Sequence, residues 1–100
     1  MTDSQVGQAF VDVHGEIQST LGHDPSGINS STCPLTNLPG FRSQLIPNAV
    51  RMVALRLGIR LPKGFKVKNI YISTNGKRKL TIAEISTRFR TLVGMEAAAA

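Results

Sequence analysis

Val6, Phe10, Val13, Ile17 and Leu21 recur at spacings of four, three, four and four residues. Residues so spaced share one side of an α-helix, so the first twenty residues are expected to form an amphipathic helix whose apolar stripe needs a partner. Two more stripes answer that need. Ile46, Val50, Val53 and Leu57, with Ala54 beside them, form one; Ile82, Ile85, Phe89 and Leu92 form the other. Three amphipathic helices closing on a common core predict a mainly α fold, a small helical bundle with helices near residues 4–21, 44–57 and 82–93. One hundred residues fit a single domain, assigned to residues 1–94 with a flexible tail over 95–100.

The punctuation between the stripes is as informative. Gly22 and Gly58 are placed to stop the first two helices. Pro47 belongs in a first turn, and it biases Ile46 away from helical geometry, so the second helix is expected to begin nearer Ile46 than Ser43. Thr81-Ile82-Ala83-Glu84 reads as a capping box, with Leu80 and Ile85 as a hydrophobic staple, and Gly94 as the stop. Residues 23–40 are crowded with Pro, Gly, Ser, Thr and Asn, which predicts a long loop without a packed helix, pinned by Ile28, Leu35 and Leu38. A loop of that length in a compact domain points to function or to disorder. Before the last helix, VKNIYISTNGKRKLTI alternates around Asn75-Gly76 and predicts an inserted β-hairpin.

Composition excludes several classes. An apolar share of 41% is that of a globular chain. Cys33 is the only cysteine, which rules out an internal disulfide and fits a reducing compartment; with no signal-like start, the expected location is cytoplasmic. No apolar run approaches the roughly 20 residues that span a bilayer. His14 and His23 have no further ligands at metal spacing and are expected on the surface. Ser43 has no motif-level base, no paired carboxylates or phosphate loop stand out, and the chain is not read as an enzyme. Charge is divided sharply. Residues 1–40 contain four acids and no Lys or Arg, whereas residues 41–100 hold all twelve Lys and Arg against Glu84 and Glu96. The basic half can attract nucleic acid, anionic membrane or an acidic protein, or it can pair with the acidic first helix. Lys77-Arg78-Lys79 with Arg88 and Arg90 would form the phosphate-facing patch, with Tyr71 as its exposed aromatic. Glu84 and Arg88 could equally form an i,i+4 helix pair.

The entrance to the second helix reads Gly40-Phe41-Arg42-Ser43-Gln44-Leu45, its exit LGIRLP, and the last helix opens LTIAEISTRF. Together with the order of elements over residues 5–93, these motifs resemble the acyl carrier proteins, with their Gly-x-Asp-Ser-Leu, Leu/Phe-Gly-Ile-x-Ile-Pro and Thr-Val-x-Asp-Val. The resemblance implies 4′-phosphopantetheine attached at Ser43, an acyl group carried on its thiol, and as partners a phosphopantetheinyl transferase and acyl-processing enzymes. A monomer is expected, and if the basic half serves docking, Arg42, Arg51 and Arg56 should share the face around Ser43, because Arg51 and Arg56 fall off the buried stripe. The chain departs from the family in four places. Arg42 stands where the family has Asp, Gln44 displaces the apolar residue, the second helix is basic rather than acidic, and the hairpin replaces a short third helix. Three other readings stay open: Ser43 as a plain N-cap, a small basic nucleic-acid-binding module, and an adaptor without the arm.

Overall fold

The computed structural model describes residues 3–61, 70–73 and 76–99. Four α-helices follow in order, α1 (Asp3–Thr20), α2 (Pro34–Asn37), α3 (Ile46–Leu57) and α4 (Ile82–Ala99), with a 3-10 turn at Ser43–Leu45 leading into α3. α1 packs against both α3 and α4. A radius of gyration of 12.8 Å matches the about 13 Å of a compact chain of this length.

Each apolar stripe faces that packing. Val6, Phe10 and Val13 of α1, Ile46, Val50 and Val53 of α3, and Ile82, Ile85 and Phe89 of α4 are fully buried in one core. The outermost α1 position does not join them: Leu21 lies beyond the helix end and is exposed. Both glycine stops form as their positions predict. Gly22 and Gly58 have positive φ, and each ends its helix in a Schellman motif. At α1, His23 N–H reaches Gln18 O at 2.8 Å and Gly22 N–H reaches Ser19 O at 3.1 Å; at α3, Ile59 N–H reaches Ala54 O and Gly58 N–H reaches Leu55 O.

The long connection is packed. Asp24 and Asn29 fold it through side-chain turns onto Ser26 and Ser31 N–H. Leu38 is buried, and Ile28 and Leu35 lie against the core. One turn of helix, α2, forms where none was expected, because Pro34 pre-sets the first-turn φ and Asn37 folds back onto Cys33 N–H at 2.7 Å. The same loop reaches α4, where Ser30 and Thr32 carbonyls accept from Ala83 and Ile82 N–H at 2.9 and 2.8 Å. The capping box is made in full. Glu84 accepts from Thr81 N–H at 3.0 Å, and Thr81 Oγ1 accepts from Glu84 N–H at 3.4 Å.

Two expectations about the C-terminal half are corrected. The inserted hairpin is not seen: the described residues form no strand, only one antiparallel bridge between Ile72 and Lys79. Positions 67–69 and 74–75 of that prediction lie outside the described residues. The physical reason is visible at Ile70 and Tyr71, consecutive residues that are both fully buried, where a one-faced strand would send them to opposite sides. The last helix does not stop at Gly94 but continues to Ala99, through a Met, a Glu and alanines that favour helix strongly.

Candidate functional site

Ser43 opens the 3-10 turn at the head of α3, one residue after Arg42, and both side chains are exposed. Ser43 occupies no cap position. Arg42 caps the 3-10 turn and Leu45 caps α3, neither with a side-chain hydrogen bond. Ser43 contributes only its carbonyl, which accepts from Ile46 N–H. The plain N-cap role is therefore not the one its hydroxyl plays, and that hydroxyl makes no hydrogen bond among the described residues.

The corner is fixed from beneath. Phe41 is buried two residues before the serine, its ring 5.0 Å from the His14 ring and stacked on Tyr71 at 5.9 Å. Gly40 turns with φ +77°, and a Cβ there would lie 3.2 Å from a Leu21 methyl carbon, so a larger residue would be both strained and crowded.

His14 and Tyr71, both expected on the surface, are fully buried. His14 lies four residues after Phe10 and four before Gln18, which is also buried; the α1 stripe is wider than its apolar members. Nδ1 of His14 lies 2.6 Å from the Phe10 carbonyl, which can only accept, so Nδ1 carries the proton and Nε2 accepts from the Tyr71 hydroxyl at 2.9 Å. Burial pushes the His14 pKa down to about 4 against the pull of the Phe10 carbonyl, and burial pushes the Tyr71 hydroxyl up. Both rings are neutral at neutral pH. Nε2 of Gln18 is buried and makes no hydrogen bond among the described residues.

The predicted docking arginines separate. Arg51 is exposed on α3, like Arg42 at its head. Arg56 instead turns to α1, pairing with Glu16 and approaching Asp12 at 4.0 Å. It joins the basic half to the acidic helix. Sequence reasoning missed Phe41 and Leu55. Phe41 fell between the helical stripes, and Leu55, 75% exposed on α3, lies off its buried stripe.

The basic patch before α4 is largely engaged within the chain. Arg78 grips Glu84 through two hydrogen bonds of 3.0 and 2.7 Å, and Arg88 donates to the Ile72 carbonyl. Glu84 therefore pairs with Arg78, rather than with Arg88 one helical turn away. The Arg78 guanidinium, followed by Thr81 N–H, lowers the Glu84 pKa to about 2. With Tyr71 inside, the described residues give the patch no stacking ring. The Cys33 thiol lies 3.4 Å from Thr36 Oγ1. Among the described residues no group of three His, Cys, Asp or Glu could hold a metal, and no helix is long and apolar enough to cross a membrane. No family model, curated protein or solved structure matches the chain.

Proposed function

We propose that the chain is a carrier domain, similar to the acyl carrier proteins, in which Ser43 Oγ is the atom esterified by 4′-phosphopantetheine. One observation carries this reading: the Ser43 hydroxyl is exposed at the head of a twelve-residue helix and takes no part in capping it. A phosphodiester at that atom is an anion, and the positive end of a helix favours it. Arg42, exposed beside it, supplies a cation for the same phosphate. Phe41, held by His14 and Tyr71, would keep the attachment point rigid while the arm moves. The arm supplies a thiol for acyl transfer. The protein's own part is to present the serine and be recognised.

The test is the intact mass of the protein after co-expression with a broad-range phosphopantetheinyl transferase. The expected result is a gain of one phosphopantetheine, absent in Ser43→Ala. Arg42 reverses the charge that the family places before its serine, so modification is expected to be slow and to become faster in Arg42→Asp. If neither the native protein nor Arg42→Asp gains mass while both stay folded, the carrier reading fails and an adaptor without the arm replaces it.

A further inference from the structure

A cleft of about 650 Å³ opens where the first half of α1, the loop at 28–30 and the first half of α4 meet. That volume is in the range of small-molecule sites. Gly7 and Ala83 line it from the two helices, and half-buried Val11 and Ile28 give it apolar surface. Gly7 is the unexpected member. Glycine weakens a helix interior, and neither a positive φ nor a crowded contact calls for it at this position. A Cβ there would meet Ser86 Oγ at 3.8 Å, an ordinary van der Waals distance. The packing of α1 on α4 would accept alanine; what glycine adds is room in the cleft.

The polar groups of the cleft are mostly acceptors, because their hydrogens are engaged elsewhere. The buried Ser86 hydroxyl donates to the Ile82 carbonyl at 2.7 Å, and the Thr87 hydroxyl donates to the Ala83 carbonyl at 3.1 Å. Both oxygens can then only accept. The Gln8 amide nitrogen donates to the Asp12 carboxylate at 2.9 Å, which leaves Oε1 as the free end of that amide. Asn29 is the opposite case: its Oδ1 accepts from Ser31 N–H, so its NH2 is a donor. The Ser4 hydroxyl can do either. A ligand that mainly donates is what this balance suits. None of the described residues lining the cleft is charged, in a chain of net charge +6. An anion would meet lone pairs without a cation, and a cation would meet no carboxylate.

We propose that the cleft between α1 and α4 binds a small uncharged ring compound with hydrogen-bond donors at its edge, the chemistry of a nucleoside. A flat ring needs a slot without side-chain bulk, which Gly7 and Ala83 provide, and apolar contact, which Val11 and Ile28 provide. An exocyclic amine and sugar hydroxyls match the oxygens of Ser86, Thr87 and Gln8. A hydrocarbon fits less well, since it would take water from those oxygens and give them no partner. Ser43 does not line the cleft, so the proposal does not rest on the carrier reading.

The test is an amide-resolved NMR titration of the full, unmodified chain with three probes. They are adenosine, an adenosine dimethylated at its exocyclic amine, and benzoate, a flat anion. Adenosine is expected to shift amides of residues 4–11, 28–30 and 83–87 and to bind several-fold more tightly than either other probe. Ser86→Ala should weaken adenosine roughly fivefold, the worth of one hydrogen bond. Ala83→Leu, at an exposed position, should fill the slot and abolish binding. Gly7→Ala should weaken binding while raising the unfolding midpoint, opposite signs that a merely structural glycine would not give. Adenosine leaving those amides unmoved up to its solubility limit would overturn the proposal. So would equal binding of the dimethylated probe or of benzoate, or undiminished adenosine binding in folded Ala83→Leu or Gly7→Ala. Ser43→Ala should bind adenosine like the native chain, which separates this result from the mass-gain test of the carrier reading.

Discussion

The two long helices that follow the loop begin in opposite ways. α4 starts with its N–H groups engaged: the Thr81–Glu84 box closes reciprocally, the Ser30 and Thr32 carbonyls take two more N–H groups, and Arg78 clamps the capping carboxylate. α3 starts without a side-chain cap, behind an exposed serine and arginine, and is held from below by Phe41 on the His14–Tyr71 pair. A helix start closed by its own protein has little left to offer a ligand; a start anchored only by its buried side can keep its outer groups available. The difference identifies the α3 corner, not the more basic α4 corner, as the surface with chemistry to spare.

The largest effect should come from removing what lies beneath α3. His14→Ala deletes a buried ring, leaves the Tyr71 hydroxyl without its acceptor and takes away the surface on which Phe41 packs. The expected loss is roughly 3 kcal/mol of unfolding free energy, read from denaturant titration. A loss below about 1 kcal/mol would mean that the corner stands without this anchor, and the contrast between the two helix starts would lose its basis.

Acid should separate the two starts by pH window. The folded chain holds His14 at a pKa of about 4, below its ordinary 6.5, so the native state refuses a proton that the unfolded chain accepts. This contribution is complete above pH 6.5, shrinks as pH falls, and is gone below 4, where both states are protonated. Its full size is on the order of 3 kcal/mol. Glu84 behaves oppositely in origin: its pKa is lowered from 4.5 to about 2, so its contribution is present above 4.5 and is lost as pH falls through 2. Unfolding free energies from pH 7 to 2 should therefore decline first at the α3 anchor and later at the α4 cap. His14→Phe should flatten the upper window and leave the lower one. A slope between pH 6.5 and 4 that survives in His14→Phe would assign it elsewhere.

What the sequence made legible follows from where each signal is written. The stripes of α1, α3 and α4, the stops at Gly22 and Gly58, and the Thr81–Glu84 box are local patterns, and each appears as read except at Leu21, which is exposed past the end of α1, and Leu92, whose side chain lies outside the described residues. His14 and Tyr71 were misplaced because a polar residue is assigned to the surface unless its partner is known, and theirs are each other, 57 positions apart. The one turn of α2 depends on Asn37 folding back onto Cys33, and the missing strands on Ile70 and Tyr71 being buried together; neither is a matter of periodicity. Around the candidate site, the exposure of Ser43, Arg42 and Arg51 followed from their positions, whereas Arg56's turn toward Glu16 required knowing how α3 lies on α1.

A smaller effect tests the closed start. Thr81→Ala removes the hydroxyl that accepts from Glu84 N–H and donates to the Glu84 carboxylate. The loss should be about 1 kcal/mol, within the usual range for an N-cap threonine. It should fall toward the low end of that range, because Ile82 and Ala83 keep their bonds to the loop. Unfolding of the two proteins under one buffer decides it. A cost well above this would mean that the box also holds the loop against α4.

The smallest effect belongs to Ser43, and it is the most informative. An exposed hydroxyl that caps nothing can be deleted without loss: Ser43→Ala should leave the unfolding free energy within about 0.5 kcal/mol of native. Thr81 and Ser43 stand near the two helix starts, and a stability change at one with none at the other is what the contrast between them requires. A loss of 1 kcal/mol or more at Ser43 would restore its reading as a structural cap in solution. Stability alone, however, cannot distinguish a serine kept for attachment from one kept for nothing. The same variant supplies the second measurement, since it must also fail to gain mass beside the transferase. A substitution that is silent in unfolding yet decisive in mass would locate the role of Ser43 in what is attached to it, not in the helix behind it.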